Sequence, residues 1–281
     1  MNSRIINKFF CRFESVFSRS RFRLLKTLYI NFRTLKFKEA IKLPIFIYGK
    51  VSFFNLGGTI EIKAPVKTGM IKLGCIQGYF TGQHGSALIL LSQGSKLIFN
   101  GPCKFDLDYA IRITGNGIVN IGKCIGFGSE TKIYCEEKIT IGDYCRIPFG
   151  STFMDTNYHY SIDTVEGIVH KKSAPIHIGS FNWIGNTSTI MKGTRTPNGA
   201  IIASKSFLNR DYIKLGNGEQ NIVIAGSPAK IVRNNMTRVL SLETEELLNG
   251  YFKQNPDAEN YADISLLEQY KKLDKYNRLF A

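Results

Sequence analysis

Ile178-Gly179-Ser180-Phe181-Asn182-Trp183-Ile184-Gly185 opens a run with a period of six: Ile178, Ile184, Ile190, Thr196, Ile202 and Leu208. Strand alternation has a period of two and would not single out every sixth residue. A coil with three short sides would, each side sending one aliphatic side chain inward. Three hexapeptides then make a turn of roughly eighteen residues, and the turns stack as a parallel β-helix. Gly179, Gly185 and Ala203 follow the inward positions, where a tight corner leaves little room for a side chain. Thr196 breaks the aliphatic series but matches it in size.

The spacing extends backwards. Ile141, Ile147 and Phe153 are six apart, and so, across a two-residue shift, are Ile121, Phe127, Ile133 and Ile139. Earlier still, strand-type pairs recur at i and i+2, among them Ile45/Ile47, Ile60/Ile62, Ile71/Leu73, Leu97/Phe99 and Ile111/Ile113. Turn residues such as Gly57-Gly58 and Gly115-Asn116-Gly117 separate them. Turns before about Gly117 lack the strict six and are expected to be irregular, with loops. Residues 160–175 interrupt the repeat directly after Asp155-Thr156-Asn157-Tyr158-His159. Repeat proteins place insertions on one face, often the binding face, so the loop beside this histidine marks the functional side. From Glu243 the chain reads as helix, with Leu247, Leu248, Tyr251 and Phe252 as one face packed on the solenoid and Leu266, Leu267, Tyr270 and Leu273 as a second. The expected division is a basic helical segment 1–42, a solenoid 43–240 and a helical cap 241–281.

The formal net charge is +15, and its distribution is uneven. The first fifty residues hold twelve Lys/Arg against Glu14 and Glu39, a net +10. Such a segment seeks polyanions. No nucleic-acid recognition motif accompanies the charge, so no nucleic-acid partner is expected. Phe9, Phe10, Phe13, Val16 and Phe17, then Leu24, Leu25, Leu28, Ile30, Phe32, Leu35, Phe37 and Ile41, suit helices with basic residues between. Two readings stay open: the segment lies in a membrane interface, or it docks on the open end of the solenoid. No apolar run approaches the ~18 residues of a membrane span, and the N-terminus lacks the apolar stretch of a secretion signal. The six cysteines form no Cys-x-x-Cys pair and read as small buried residues in a reducing cytosol. His159, His170 and His177 do not have the spacing of a three-histidine zinc site, so no metal is expected.

These residues resemble the bacterial hexapeptide-repeat acyltransferases, the left-handed β-helix family that includes maltose, galactoside and serine acetyltransferases. The nearest likeness is to polysaccharide-modifying O-acetyltransferases. An Asp-Thr-Asp-Phe-His-like motif is matched by Asp155 to His159, Ile-Gly-x-x-x-Trp-Ile-Gly by Ile178 to Gly185, and Ala-Gly-x-Pro-Ala-Lys by Ala225 to Lys230. The resemblance covers about Gly117 to Arg233. It implies a mostly β fold: a left-handed parallel β-helix of hexapeptide repeats, here with N-terminal and C-terminal helical segments.

The same resemblance implies a homotrimer with acetyl-CoA as co-substrate in the groove between neighbouring solenoids. It makes His159 the general base, its other ring nitrogen held by Asp155 or a backbone carbonyl. It points to Asn186, Ser204, Asn209 and Arg210 on the cofactor side, with Lys230 and Arg233 toward the phosphates. The family often has an asparagine one coil before the histidine to position the acceptor. Gly128-Ser129-Glu130 stands there instead, so either Glu130 substitutes or the acceptor is held differently. Asn157 and Trp183 complete the expected acceptor contacts, though Trp183 equally suits core or trimer packing. His177, between Ile176 and Ile178, points outward from a strand and is placed to line the groove.

The expected function is an acetyl-CoA-dependent O-acetyltransferase acting on a sugar hydroxyl of a surface polysaccharide (capsule, lipopolysaccharide or exopolysaccharide) or its precursor. The expected place is the cytoplasm, at the inner face of the cell membrane if the basic N-terminus binds it. Two rivals stand beside it. One is an N-acetyltransferase on a nucleotide-linked amino sugar, whose relatives often follow the base with glutamate where this chain has Tyr160. The other is a non-catalytic glycan-binding solenoid.

Overall fold

The structure, a computed structural model, describes residues 21–76 and 85–266. Ile45 pairs in parallel with Ile71, Ile71 with Cys103 and Cys103 with Ile125, all fully buried. Two further columns form alike: Ile89, Ile111 and Ile133, and Ile60, Leu97, Val119 and Ile139. The chain therefore visits three sheets in rotation and lands one strand further along each at every visit. The sheets hold nine, seven and six strands. They enclose one apolar core that runs the length of the solenoid.

Side-chain alternation explains the two-residue shift. Lys138–Ile141 in the third sheet is long enough to bury both Ile139 and Ile141. Ile133 consequently pairs with Phe153, twenty residues on. Further along, Thr189 pairs with Phe207, eighteen residues on, and Arg195–Thr196 buries Thr196 alone. Turns before Gly117 keep the same three-sheet arrangement. They are irregular as expected, with a register shift between Phe53 and Asn55 and with longer corners such as 63–70 that take up extra residues.

Thr196 is more than a size match. Its hydroxyl donates to Asn182 Oδ1 at 2.8 Å and accepts from the Gly179 N–H at 3.3 Å. Asn182 in turn donates to the Pro197 carbonyl at 2.7 Å. Both side chains are fully buried, so this pair satisfies corner groups that water cannot reach.

Helices close both ends. Helix α1 (Leu24–Thr34) lies on the first edge strand, Ile45–Ile47. Asn31 accepts from the Ile45 N–H and donates to the Ile45 carbonyl, and Thr27 Oγ1 accepts from the Ile47 N–H. An open strand edge is thereby covered by side chains that imitate a neighbouring strand. Helix α2 (Phe37–Ala40) follows. The helix expected around Phe9–Phe17 lies outside the described residues. At the far end, the single-turn helix α3 (Tyr212–Leu215), N-capped by Asp211, closes the seventh coil. Val223–Gly226 then extends the first sheet, and Ala229–Arg233 folds back on it antiparallel. Helix α4 (Leu242–Gln254) does not bury the face expected of it: Leu247 is 50% exposed, and the buried residue is Thr244. Leu267, Tyr270 and Leu273 lie outside the described residues.

Thr196→Val enlarges the apolar surface of the core, yet it strands the buried Asn182 amide oxygen, while the Gly179 N–H keeps its bond to the Thr196 carbonyl at 3.1 Å. The expected result in urea unfolding is a loss of about 1–3 kcal/mol. A variant as stable as the parent would reduce the hydroxyl to a filler of volume.

Candidate active site

The histidine motif begins where the fifth coil leaves the second sheet, after Thr152–Met154. Asp155 is fully buried. Its carboxylate accepts the N–H groups of Glu136 at 2.8 Å, Glu137 at 2.9 Å and Lys138 at 2.7 Å, all at the matching corner of the coil before. The Cys135 thiol lies 3.2 Å from the same carboxylate. Oδ2 takes Glu137, Lys138 and Cys135, and Oδ1 takes Glu136; His159 is not among the partners. Asp155 thus holds the corner; of the two groups expected to orient His159, Asp155 or a backbone carbonyl, the carboxylate is bonded to the preceding coil and not to the ring. Burial, reinforced by the Asp155 charge, pushes the Cys135 thiol far above its ordinary range.

Thr156, also buried, donates to the Glu136 carboxylate at 2.8 Å and accepts from the Tyr158 N–H at 3.0 Å. Glu136 forms an ion pair with Lys172 at 2.8 Å, at the returning end of the insertion. Thr156 bridges to Ser173, and the Asn157 N–H donates to the Lys172 carbonyl at 2.8 Å. Desolvation works against the Glu136 charge, but the bonds from Lys172 and Thr156 prevail and hold the carboxyl below its usual value. Tyr158 sits at φ 60°, left-handed backbone that a bulky residue rarely adopts. Its ring lies 5.2 Å from the Arg112 guanidinium. This turn places His159 on the exposed side of the corner. The insertion that follows is a hairpin, Ser161–Ile162 against Val169–His170, where a loop was expected.

The candidates fall on two edges of the prism. Asn157, His159, Asn209 and Arg210 lie where the second sheet turns into the third; Asn209 and Arg210 follow the end of the seventh coil's strand Phe207–Leu208, two coils beyond His159. Glu130, Asn186 and Ser204 lie where the first sheet turns into the second. Asn186 and Ser204 sit on successive coils there, joined through the Lys205 N–H to the Asn186 carbonyl at 2.9 Å. Lys230, opposite Ala225, is near that same edge, while Arg233 pairs with Val223 at the other end of the hairpin. Trp183 is on the outer face of the first sheet. His177 projects from the third sheet as expected; partial burial, then Arg195 and Lys138, push its pKa below the ordinary imidazole value. Among the described residues no His, Cys, Asp or Glu cluster is arranged to hold a metal ion.

One feature escaped the sequence reading. A cavity of about 1220 Å³ lies on the outer face of the first sheet beneath the strap 236–239, with Lys104, Phe149, Arg146, Trp183, Met236 and Arg238 in its wall. The outward column Lys104, Gly126, Arg146 and Trp183 forms its floor line, and Lys72 continues the column beyond it. Burial, and then the Lys72 ammonium, lower the Lys104 pKa. The available signal was a basic or aromatic residue recurring one place after or before each buried strand residue.

No family model matches the chain. A chloramphenicol acetyltransferase of Klebsiella aerogenes is 25% identical over 118 residues, 36% of this chain and 53% of that protein. The chain thus spans about half the length of this relative. Among solved structures, the polySia specific acetyltransferase NeuO is similar with a TM-score of 0.47 at 17% identity, covering 82% of this chain and 99% of that one. The polysialic acid O-acetyltransferase OatWY has a TM-score of 0.38 at 22% identity, over 72% and 85%. The three-sheet register itself decides the architecture. The solenoid is a hexapeptide-repeat β-helix. In this β-helix, the six-residue spacing runs without a shift only in the coils after the histidine motif.

Two substitutions separate structure from chemistry at this corner. Asp155→Asn replaces an acceptor of several N–H groups with a side chain that also donates, and should cost about 1.5–3 kcal/mol in unfolding free energy. His159→Ala, on an exposed ring, should change stability by less than about 0.5 kcal/mol. The Glu136 clamp also carries a pH dependence. Because its carboxyl is held low, its stabilisation is complete above the ordinary carboxylate range and is lost as pH falls through the lowered value. Amide exchange across 156–173 should therefore quicken in acid, and less so in Glu136→Gln.

Proposed function

We propose that this chain is an acetyl-CoA-dependent O-acetyltransferase acting on a sugar hydroxyl of a surface polysaccharide or its precursor, and that its site is completed between copies. The observation that carries this reading is the division of the candidates between the two edges of the second sheet. Two edges of one flat side do not meet within a single prism. They meet when the edge bearing His159 on one copy approaches the edge bearing Asn186 and Ser204 on the next. Repeated around an axis, this contact closes as a homotrimer. Acetyl transfer is drawn from the motifs and from the matched chloramphenicol acetyltransferase; the polysaccharide acceptor is drawn from the motifs alone.

Acetyl-CoA, when bound, supplies the acetyl group as a thioester. The edge at Asn186 and Ser204 suits it: both side chains are small and solvent-accessible, with the exposed cations Lys205 and Lys230 nearby for phosphate. His159 removes the acceptor hydroxyl proton as that oxygen bonds to the acyl carbon. Backbone N–H groups of the corner face the charge that develops on the acyl oxygen. As the carbon–sulfur bond breaks, the protonated ring returns the proton to sulfur. Imidazole suits both steps because its charge changes near neutral pH. Trp183 and the cavity beside it offer the acceptor an aromatic wall.

Incubation with acetyl-CoA and candidate glycans, followed by mass spectrometry, should reveal an added acetyl group on a sugar oxygen. His159→Ala should lower kcat by about 10²–10⁴-fold, and undiminished transfer would refute its role as base. Co-expression of His159→Ala with Ser204→Arg tests the shared site. Each variant alone should be inactive, and mixed oligomers should recover transfer. Absence of recovery would place the site within one copy.

A further inference from the structure

The end of the solenoid that carries α1 and α2 is built with its polarity reversed. The residues of α1 that face the core are Thr27, Ile30, Asn31 and Thr34, of which three are polar and two serve the strand edge. The opposite face holds Leu25, Tyr29 and Phe32, spaced four and three apart and all exposed. Phe37 and Ile41 continue it through α2. Leu25 is 81% exposed and Phe37 71%. Isolated exposed apolar residues are ordinary, but a contiguous group on one helical face marks a contact surface. Docking on the open end of the solenoid does not use this apolar side. The helix docks on the solenoid with its polar side and leaves its apolar side outward.

The charges around the patch identify the partner. Residues 21–42 contain seven Lys/Arg and one acidic residue, Glu39. Arg33, Lys36, Lys38 and Lys42 are exposed beside the aromatic residues. A second copy of the same face would bring like charges together. An anionic glycan would meet the charges but offer nothing apolar to the rings. A bilayer with anionic headgroups offers both, with acyl chains for Leu25, Phe32 and Phe37 and phosphates for the rim. No helix among the described residues is long and apolar enough to cross a membrane, so the contact is interfacial. We infer that this end of the solenoid is a docking face for an anionic lipid surface, with α1 and α2 lying in the plane of the headgroups.

Cosedimentation of the full chain with vesicles tests this. The parent should bind phosphatidylglycerol/phosphatidylcholine vesicles at least about tenfold more tightly than phosphatidylcholine alone. Leu25→Ser combined with Phe32→Ser and Phe37→Ser should lose at least about tenfold of that binding, as should Arg33→Gln with Lys36→Gln and Lys38→Gln. Circular dichroism of both variants should match the parent. Undiminished vesicle binding by the serine variant would overturn the assignment. So would sedimentation velocity showing that the patch instead joins two copies, or binding to an acidic polysaccharide without binding to vesicles.

Discussion

The carboxylate of Asp155 beneath the N–H groups of Glu136, Glu137 and Lys138 is the contact on which the active corner depends. A stacked solenoid is satisfied strand by strand, and an insertion at one corner removes the partners of the corner before it. Asp155 supplies those partners from a side chain. The chain can then leave for the insertion and return, and Ile139 still pairs with Ile176 as though nothing had intervened. Burial makes the arrangement strong, because an ionised acceptor donated to by three amides has no competing water. It also means that the residue beside the histidine in the motif acts on the backbone, while the histidine is left to solvent.

The candidate residues stand on two separate edges of the prism. Sheet geometry enforces the separation: side chains at successive corners of one coil point to different sides, and only residues at matching corners of successive coils are neighbours. That is why Asn186 stacks near Ser204 and neither approaches His159. Asn209 and Arg210, expected with the cofactor group, stand instead on the histidine edge. The proposed site between copies would reunite the two sets without bending either.

The ends of the solenoid are handled differently. At the first, Asn31 and Thr27 close the strand edge, which frees the outer side of α1 for apolar residues that a core-facing helix would have turned inward. At the last, the antiparallel strand Ala229–Arg233 and the capped helix α3 end the stack, and the apolar residues of α4 stay largely outside. Hydrophobic periodicity identified both helices, left the face of α1 open and assigned the wrong face of α4 to the solenoid, since spacing records which residues share a side and not which side meets the core.

The sequence alone determined the three-sided coil, because an aliphatic residue at every sixth position admits few other packings, and it located the break in the repeat beside His159. It also contained the two-residue shift, although only the pairing of Ile139 and Ile141 within one strand explains it. Tertiary structure alone decided the role of Asp155, the distribution of the candidates over two edges, and the cavity on the first sheet. Each of these depends on which residues of different coils stand side by side, and corner lengths that vary from coil to coil erase that register from the linear spacing.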